Sequence, residues 1–272
     1  MLRISVVTPS YQQAQFLERT IKSVLDQNYP NLEHIVIDGG SKDGSVEIIQ
    51  KYADRFAYWV SERDKGHGDA LNKGFSRCTG DILCWLNSDD TFLPGALHRV
   101  AEAAEKDPAA NFFFGDIHFI DADDNIVGIK RFSPIRKANV LMEGMVFSQP
   151  ATFWRKSLMD QSGMVDASIK FAMDYDLFCR MAPHAKYKYI NAFLATYRLH
   201  AASKTCTVAD IGVTESKQQK IKYCDPIYSP AKQKVLWPLL KTERVLYHLS
   251  QLRFGYLAGQ VMYRMRKPTP TM

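Results

Sequence analysis

LCWLNSDDTFLPG, residues 83–95, runs from an apolar segment straight into Asn87, Ser88, Asp89 and Asp90, and reaches a helix start at Pro94. Two adjacent carboxylates at the end of a core strand repel and desolvate, at a cost of roughly several kcal/mol, unless a cation or a donor compensates them. At a strand mouth a divalent metal is the natural compensator. Helix capping by Ser88 or Asp89 is the plainer alternative.

Outward from this stretch, four short apolar runs at residues 4–9, 34–38, 56–61 and 81–87 read as parallel strands covered on both faces. Helical patterns lie between them. Phe16, Leu17, Ile21, Val24 and Leu25 share one face; Val46, Ile48, Ile49 and Tyr52 mark a second helix, and Ala70, Leu71 and Phe75 a third. Strand and helix in alternation predict an α/β doubly wound sheet, in which ligands bind beyond the carboxyl ends of the strands. The polar residues at those ends are Thr8, Pro9, Ser10 and Tyr11, then residues 38–45, 62–69 and 87–90.

Residues 112–128 read as a hairpin turning at 121–125. Asp121, Asp123, Asp124 and Asn125 lack the glycine and the later Glu of a calcium loop, so they read as an acidic turn. A loop-rich stretch through FSPIRK and MVFSQPATFW follows, then a helix in FAMDYDLFCRMA and two strands in KYKYIN and FLATYRLH. From residue 211 the character changes. Leu239, Leu246, Leu249, Leu252 and Leu257 stand among basic and aromatic residues, as in an amphipathic helical appendage.

The chain has 272 residues, 46% of them hydrophobic, enough for a full core with one large domain and an appendage. Five cysteines without a C-x-x-C pair read as free thiols in a reducing compartment, with no zinc site. The N-terminus turns polar within ten residues, and no apolar run reaches about 18 residues, which predicts a cytosolic protein or one attached to a membrane from that side. The net charge of +6 divides into +9 over residues 217–272 and −3 over the rest. The basic tail fits a membrane surface; the competing reading is a helix pair packed on the main domain or on a second subunit of a homodimer. No nucleic-acid recognition motif is present.

Glycine-rich stretches exclude several nucleotide folds. GHGDAL at 66–71 has Leu71 where a dinucleotide fingerprint needs its third glycine, and GGSKDGS at 39–45 lacks the Gly-Lys-Ser/Thr ending of a P-loop. A nucleotidyltransferase would carry its glycine loop after the first strand, not the second.

What remains is carried by longer segments. VVTPSYQQAQFLERTIKSVLDQNYPNLEHIVIDGGSKDGS, SERDKGHGDALNKGFSRCTGDILCWLNSDD, QPATFW, MDYDLFCRM and YRLHAASKT, in that order, resemble the family-2 glycosyltransferases of the GT-A fold, over about residues 3–205. That fold is a Rossmann-like, doubly wound mixed sheet with flanking helices, here with a C-terminal helical appendage. The subgroup most similar to this chain builds bacterial surface polysaccharides. The resemblance implies a domain at 1–210, with a nucleotide-sugar half at about 1–105 and an acceptor half at 106–210, and a basic tail at 211–272.

It also implies roles. Thr8, Pro9, Ser10 and Tyr11 would lie along the nucleotide, with Asp38 facing its base or ribose; Asp69 and Asn72 would approach the donor sugar and phosphate, Asn87 would hydrogen-bond the ribose, and Gly40 and Ser88 would belong to the same nucleotide-sugar site. Asp89 and His200 would hold Mn²⁺ or Mg²⁺, Asp174 would be the catalytic base, and Phe147, Gln149 and Trp154 would line the acceptor side. From the residues alone, 38–45 also reads as a glycine-rich turn, Asp69 and Asn72 as a polar helix face, and Asp174 as a carboxylate at a helix N-terminus. Gly39, Asn87 and Met173 stand where the family more often has acids.

The expected activity is a metal-dependent inverting transfer from a nucleoside-diphosphate sugar to a hydroxyl of a glycan or lipid-linked acceptor. The expected location is the cytoplasm, peripheral to the inner face of the plasma membrane. The rival reading is a catalytically silent sugar-nucleotide-binding or scaffolding protein of the same fold.

Overall fold

The computed structural model describes residues 1–201, 203 and 209–266. Cys206 and the tail residues 267–272 lie outside the described residues.

Strands β1 (Ile4–Ser10), β2 (Leu32–Asp38), β3 (Tyr58–Ser61) and β4 (Ile82–Trp85) form a parallel ladder in the order β3-β2-β1-β4. They are joined in turn by α1 (Ala14–Leu25), α2 (Ser45–Lys51) and α3 (His67–Phe75). Leu17, Ile21 and Leu25 of α1 pack with Val36 of β2 and Ile49 of α2 in one buried cluster. Each such side chain, taken fully out of water, contributes about 1.5–3 kcal/mol. On α3, Gly74 takes its place because a Cβ there would overlap the Val7 side chain of β1. The helix can therefore lie directly on the strand.

Beyond β4 the chain forms α4 (Ala96–Lys106), the hairpin β5 (Phe112–Ile120) and β6 (Ile126–Lys130), and α5 (Lys137–Glu143). A 3-10 turn at Gln149–Ala151 leads into β7 (Thr152–Arg155), followed by α6 (Lys156–Ser162), α7 (Met173–Met181), β8 (Tyr187–Arg198) and α8 (Ala209–Tyr223). The eight strands make one mixed sheet in the order β3-β2-β1-β4-β7-β5-β6, with β8 parallel to β5 on its other edge.

Two expectations are corrected here. Residues 152–155, read as loop, are β7, which pairs antiparallel with both β4 and β5. KYKYIN and FLATYRLH, read as two strands, are the single β8, whose register slips opposite residues 115–117 so that extra residues bulge without ending the strand.

The middle of the sheet is covered by rings. Trp85 stacks on Phe178 of α7 at 5.9 Å and meets Trp154 of β7 edge-on at 5.6 Å, while Phe147 lies 5.1 Å from both Phe112 and Phe178. Trp154 is fully buried and Phe147 2% exposed. The expectation that these two line an acceptor surface is corrected: edge-to-face packing uses them inside the core.

The chain divides into two compact units, Met1–Pro226 and Ile227–Met272. The boundary expected at 210 therefore shifts, because α8 is fastened to α7. Asp176 on α7, 1% exposed, accepts from Arg180 at 2.8 Å, from Tyr223 at 2.7 Å and from Lys222 at 3.3 Å. Glu215 on α8 accepts the backbone N–H groups of Lys170, Phe171 and Ala172 at 3.1, 2.7 and 2.9 Å. The second unit contains α9 (Pro230–Ser250), opened by Ser229 and Pro230, and α10 (Phe254–Arg266). Among the described residues, no helix is long and apolar enough to cross a membrane.

Candidate active site

β1 has β2 on one side and β4 on the other, so the chain leaves these strand ends in opposite directions and a crevice opens between them. A cavity of about 630 Å³ occupies it. Its walls are Pro9, Ser10 and Tyr11 after β1, Gly39 after β2, Arg63 and Asp64 after β3, residues 87–90 after β4, and Arg198 at the end of β8. Among the described residues, the Ser10 hydroxyl and the Asn87 Oδ1 in this wall are buried with no hydrogen-bond partner. Buried polar atoms in that state mark a place where a polar ligand can repay their desolvation.

The paired carboxylates of the opening stretch have separate environments. Asp89 Oδ2 lies 3.0 Å from His200 Nε2, and the His200 ring packs against Phe16 of α1 at 4.6 Å between centroids. Asp90 is 3% exposed, and its Oδ1 accepts the Arg198 N–H at 2.9 Å. Burial, and then the neighbouring Asp89 charge, push the Asp90 carboxyl well above the usual range. Arg198 itself is 1% exposed. Its guanidinium donates to the carbonyls of Asp89 at 2.7 Å and Asp121 at 2.8 Å, and pairs with Asp124 at 2.6 Å. It thus ties the acidic loop after β4 to the β5–β6 turn. The sequence reading missed Arg198, although an arginine two residues before His200 in an otherwise apolar and hydroxylic strand was a visible signal.

Among the described residues, no group of three or more His, Cys, Asp or Glu has metal-holding geometry. The donor set the protein offers is Asp89 with His200. Mg²⁺ and Mn²⁺ commonly take only one or two protein carboxylates and complete their shells with water and substrate phosphates, so these residues fit such an ion.

A family profile described as glycosyl transferase family 2 matches residues 5–163. The chain belongs to glycosyltransferase family 2. An uncharacterized glycosyltransferase of Mycobacterium tuberculosis is 36% identical over 186 residues, covering 66% of this chain and 68% of the relative. The chondroitin synthase of Escherichia coli is 26% identical over 210 residues, covering 76% of this chain and 30% of the relative. Among solved structures, S. aureus TarS 1-349 in complex with UDP aligns with a TM-score of 0.62 at 17% identity, over 73% of this chain and 61% of that one. The mannosyltransferase PcManGT from Pyrobaculum calidifontis, in complex with GDP-Man and Mn²⁺, aligns with a TM-score of 0.57 at 19% identity, over 80% and 63%. These structures share the GT-A fold with this family-2 enzyme.

Within the family-2 domain, several expected ligand contacts are turned inward. Thr8 is fully buried and shares a 3.0 Å hydrogen bond with His34, beneath the crevice. Asp38 is also fully buried. Its carboxylate accepts from the N–H groups of Gly40 and Ser41 and from the hydroxyls of Ser41 and Ser61, at 2.6–3.0 Å. Three of these donors converge on Oδ2 and one on Oδ1 in a site with no exposure, so the expectation that it faces a base or ribose is corrected: it shapes the 38–41 turn. Gly40 serves that turn with φ +81°. Asn72 on α3 likewise braces the fold, donating to the Val165 carbonyl at 2.8 Å and accepting its N–H at 3.0 Å. Asp69 accepts the Lys65 N–H at 3.1 Å and lies 3.6 Å from Lys73.

Gln149 stands at the end of β4. It donates to the Trp85 carbonyl at 2.7 Å and accepts from Asn87 Nδ2 at 3.1 Å, fixing the Asn87 amide. Ser88 lines the crevice. Asp174 lies in the first turn of α7, with Oδ1 accepting the Tyr175 N–H at 2.7 Å, and is not part of the cavity wall.

Proposed function

We propose that this family-2 enzyme is a metal-dependent inverting glycosyltransferase, moving a sugar from a nucleoside-diphosphate donor to a hydroxyl of a glycan or lipid-linked acceptor in bacterial surface-polysaccharide synthesis on the cytoplasmic side. The observation that carries this reading is the Asp89–His200 pair at the mouth of the crevice. The TarS structure holds UDP, the PcManGT structure holds GDP-Man and Mn²⁺, and one relative is a chondroitin synthase, which support the donor class, the ion and a polysaccharide product.

The residues divide the work. Tyr11, Ser10 and Asn87 take the nucleoside end of the donor, the latter two through their orphaned oxygens. Asp174 removes the proton of the acceptor hydroxyl, and that oxygen attacks the anomeric carbon from the face opposite the leaving group, which inverts the centre. A bound Mn²⁺ or Mg²⁺ would supply positive charge for the diphosphate at Asp89 and His200. Arg198 keeps the loop that carries Asp89 in place.

The test is slow hydrolysis of a panel of UDP-, GDP- and dTDP-sugars with Mn²⁺, read as release of nucleoside diphosphate. One donor should be consumed, chelation should stop it and Mn²⁺ restore it, and Asp89→Ala should lower the rate on the order of 100-fold. Absence of release with every donor, with or without Asp89, would instead establish the silent binding protein.

A further inference from the structure

α9 carries two apolar faces rather than one. Leu240 and His248 are buried, whereas Val235, Leu239, Leu246 and Leu249 are 64%, 55%, 57% and 37% exposed. Their spacings of four, seven and three residues put these four on a single stripe. At 1.5 Å per residue the stripe is about 21 Å long. Leu252 and Phe254, just past the end of the helix, are also exposed, at 77% and 57%. By the same periodicity Lys234 and Lys241 border one side and Lys232 the other, and Glu243 is the only acid on α9. Trp237, 47% exposed, sits under the Lys241 ammonium at 3.4 Å.

We propose that this stripe docks, lying flat, on an anionic lipid surface. An apolar ridge bordered by lysines matches the boundary between acyl chains and acidic headgroups. The second unit, residues 227–272, has eight Lys or Arg against one acid, Glu243, and its charge of +7 is complementary to such a surface. A symmetric dimer through the same face would bring two such +7 units together instead. The arrangement would keep the enzyme where a lipid-linked acceptor is anchored.

The test is co-sedimentation of the full chain with vesicles of phosphatidylcholine alone and of phosphatidylcholine and phosphatidylglycerol in equal parts. Binding should require the anionic lipid and weaken with salt. Lys232→Gln, Lys234→Gln and Lys241→Gln together should weaken it on the order of 100-fold. Leu239→Glu with Leu246→Glu should abolish it while leaving hydrolysis of a soluble donor, and the far-ultraviolet spectrum, unchanged. No binding to anionic vesicles at low salt, binding that survives the leucine changes, or a concentration-dependent dimer in light scattering that those changes dissolve would each overturn the proposal. Because the readout is vesicle binding, it stands or falls separately from the donor assay.

Discussion

Gln149 spans two parts of the crevice: one end of its amide holds the last carbonyl of β4 and the other holds Asn87. Gln149→Ala should cost about 1–2 kcal/mol of stability, since a buried carbonyl loses its donor. It should also lower kcat/KM for donor hydrolysis about tenfold, the kinetic equivalent of one such hydrogen bond. Denaturant melts and steady-state rates check the two halves. His34 offers a pH test. Burial pushes its imidazole down to about 3, against about 6.5 for an unfolded histidine. The unfolded chain therefore binds a proton that the folded chain refuses. The contribution is complete above about pH 6.5 and is lost at about 1.4 kcal/mol per pH unit as pH falls toward 3. His34→Leu should flatten that limb in melts run across the window. At this scale the sequence showed which polar residues sit near strand ends, but not which way they point. Asp38 looked open to ligand because one of its partners, Ser61, is 23 residues away in the chain and only the fold brings it close.

α7 and α8 form the element pair most open to a test. Glu215 gathers the three N–H groups just ahead of the turn that carries Asp174. Glu215→Ala should lower stability by about 2–3 kcal/mol, as expected for losing hydrogen bonds to a charged acceptor. It should reduce kcat more than it raises KM, because the segment entering α7 loses its anchor. Glu215→Gln, which keeps one acceptor oxygen, should recover part of both. Thermal unfolding and a kcat against KM comparison decide it. Long periodic elements such as α1 were legible because five apolar residues repeat on one face. β7 was not, since four residues next to Pro150 carry no alternation, and β8 was split because its bulged residues interrupt the period of two.

For the whole molecule, the separation at Pro226 predicts that a chain ending there keeps its fold and hydrolyses donor as the full chain does. A chain ending at Arg198 should lose the Glu215 and Tyr223 anchors and melt at lower temperature. Calorimetry and the donor assay measure both. The charge division between the tail and the rest was readable from composition alone. The position of the boundary was not, because it depends on which helix Asp176 and Glu215 join.

β7 has one more consequence. By bonding to β4 on one edge and β5 on the other, it joins the two halves of the sheet into a single slab, with no hinge line between them. Closure around a donor by rocking one lobe against another is therefore closed to this architecture. Accommodation of different sugars has to come from the loops and side chains above the strand ends, which lets substrate preference drift over generations while the rings beneath stay as they are.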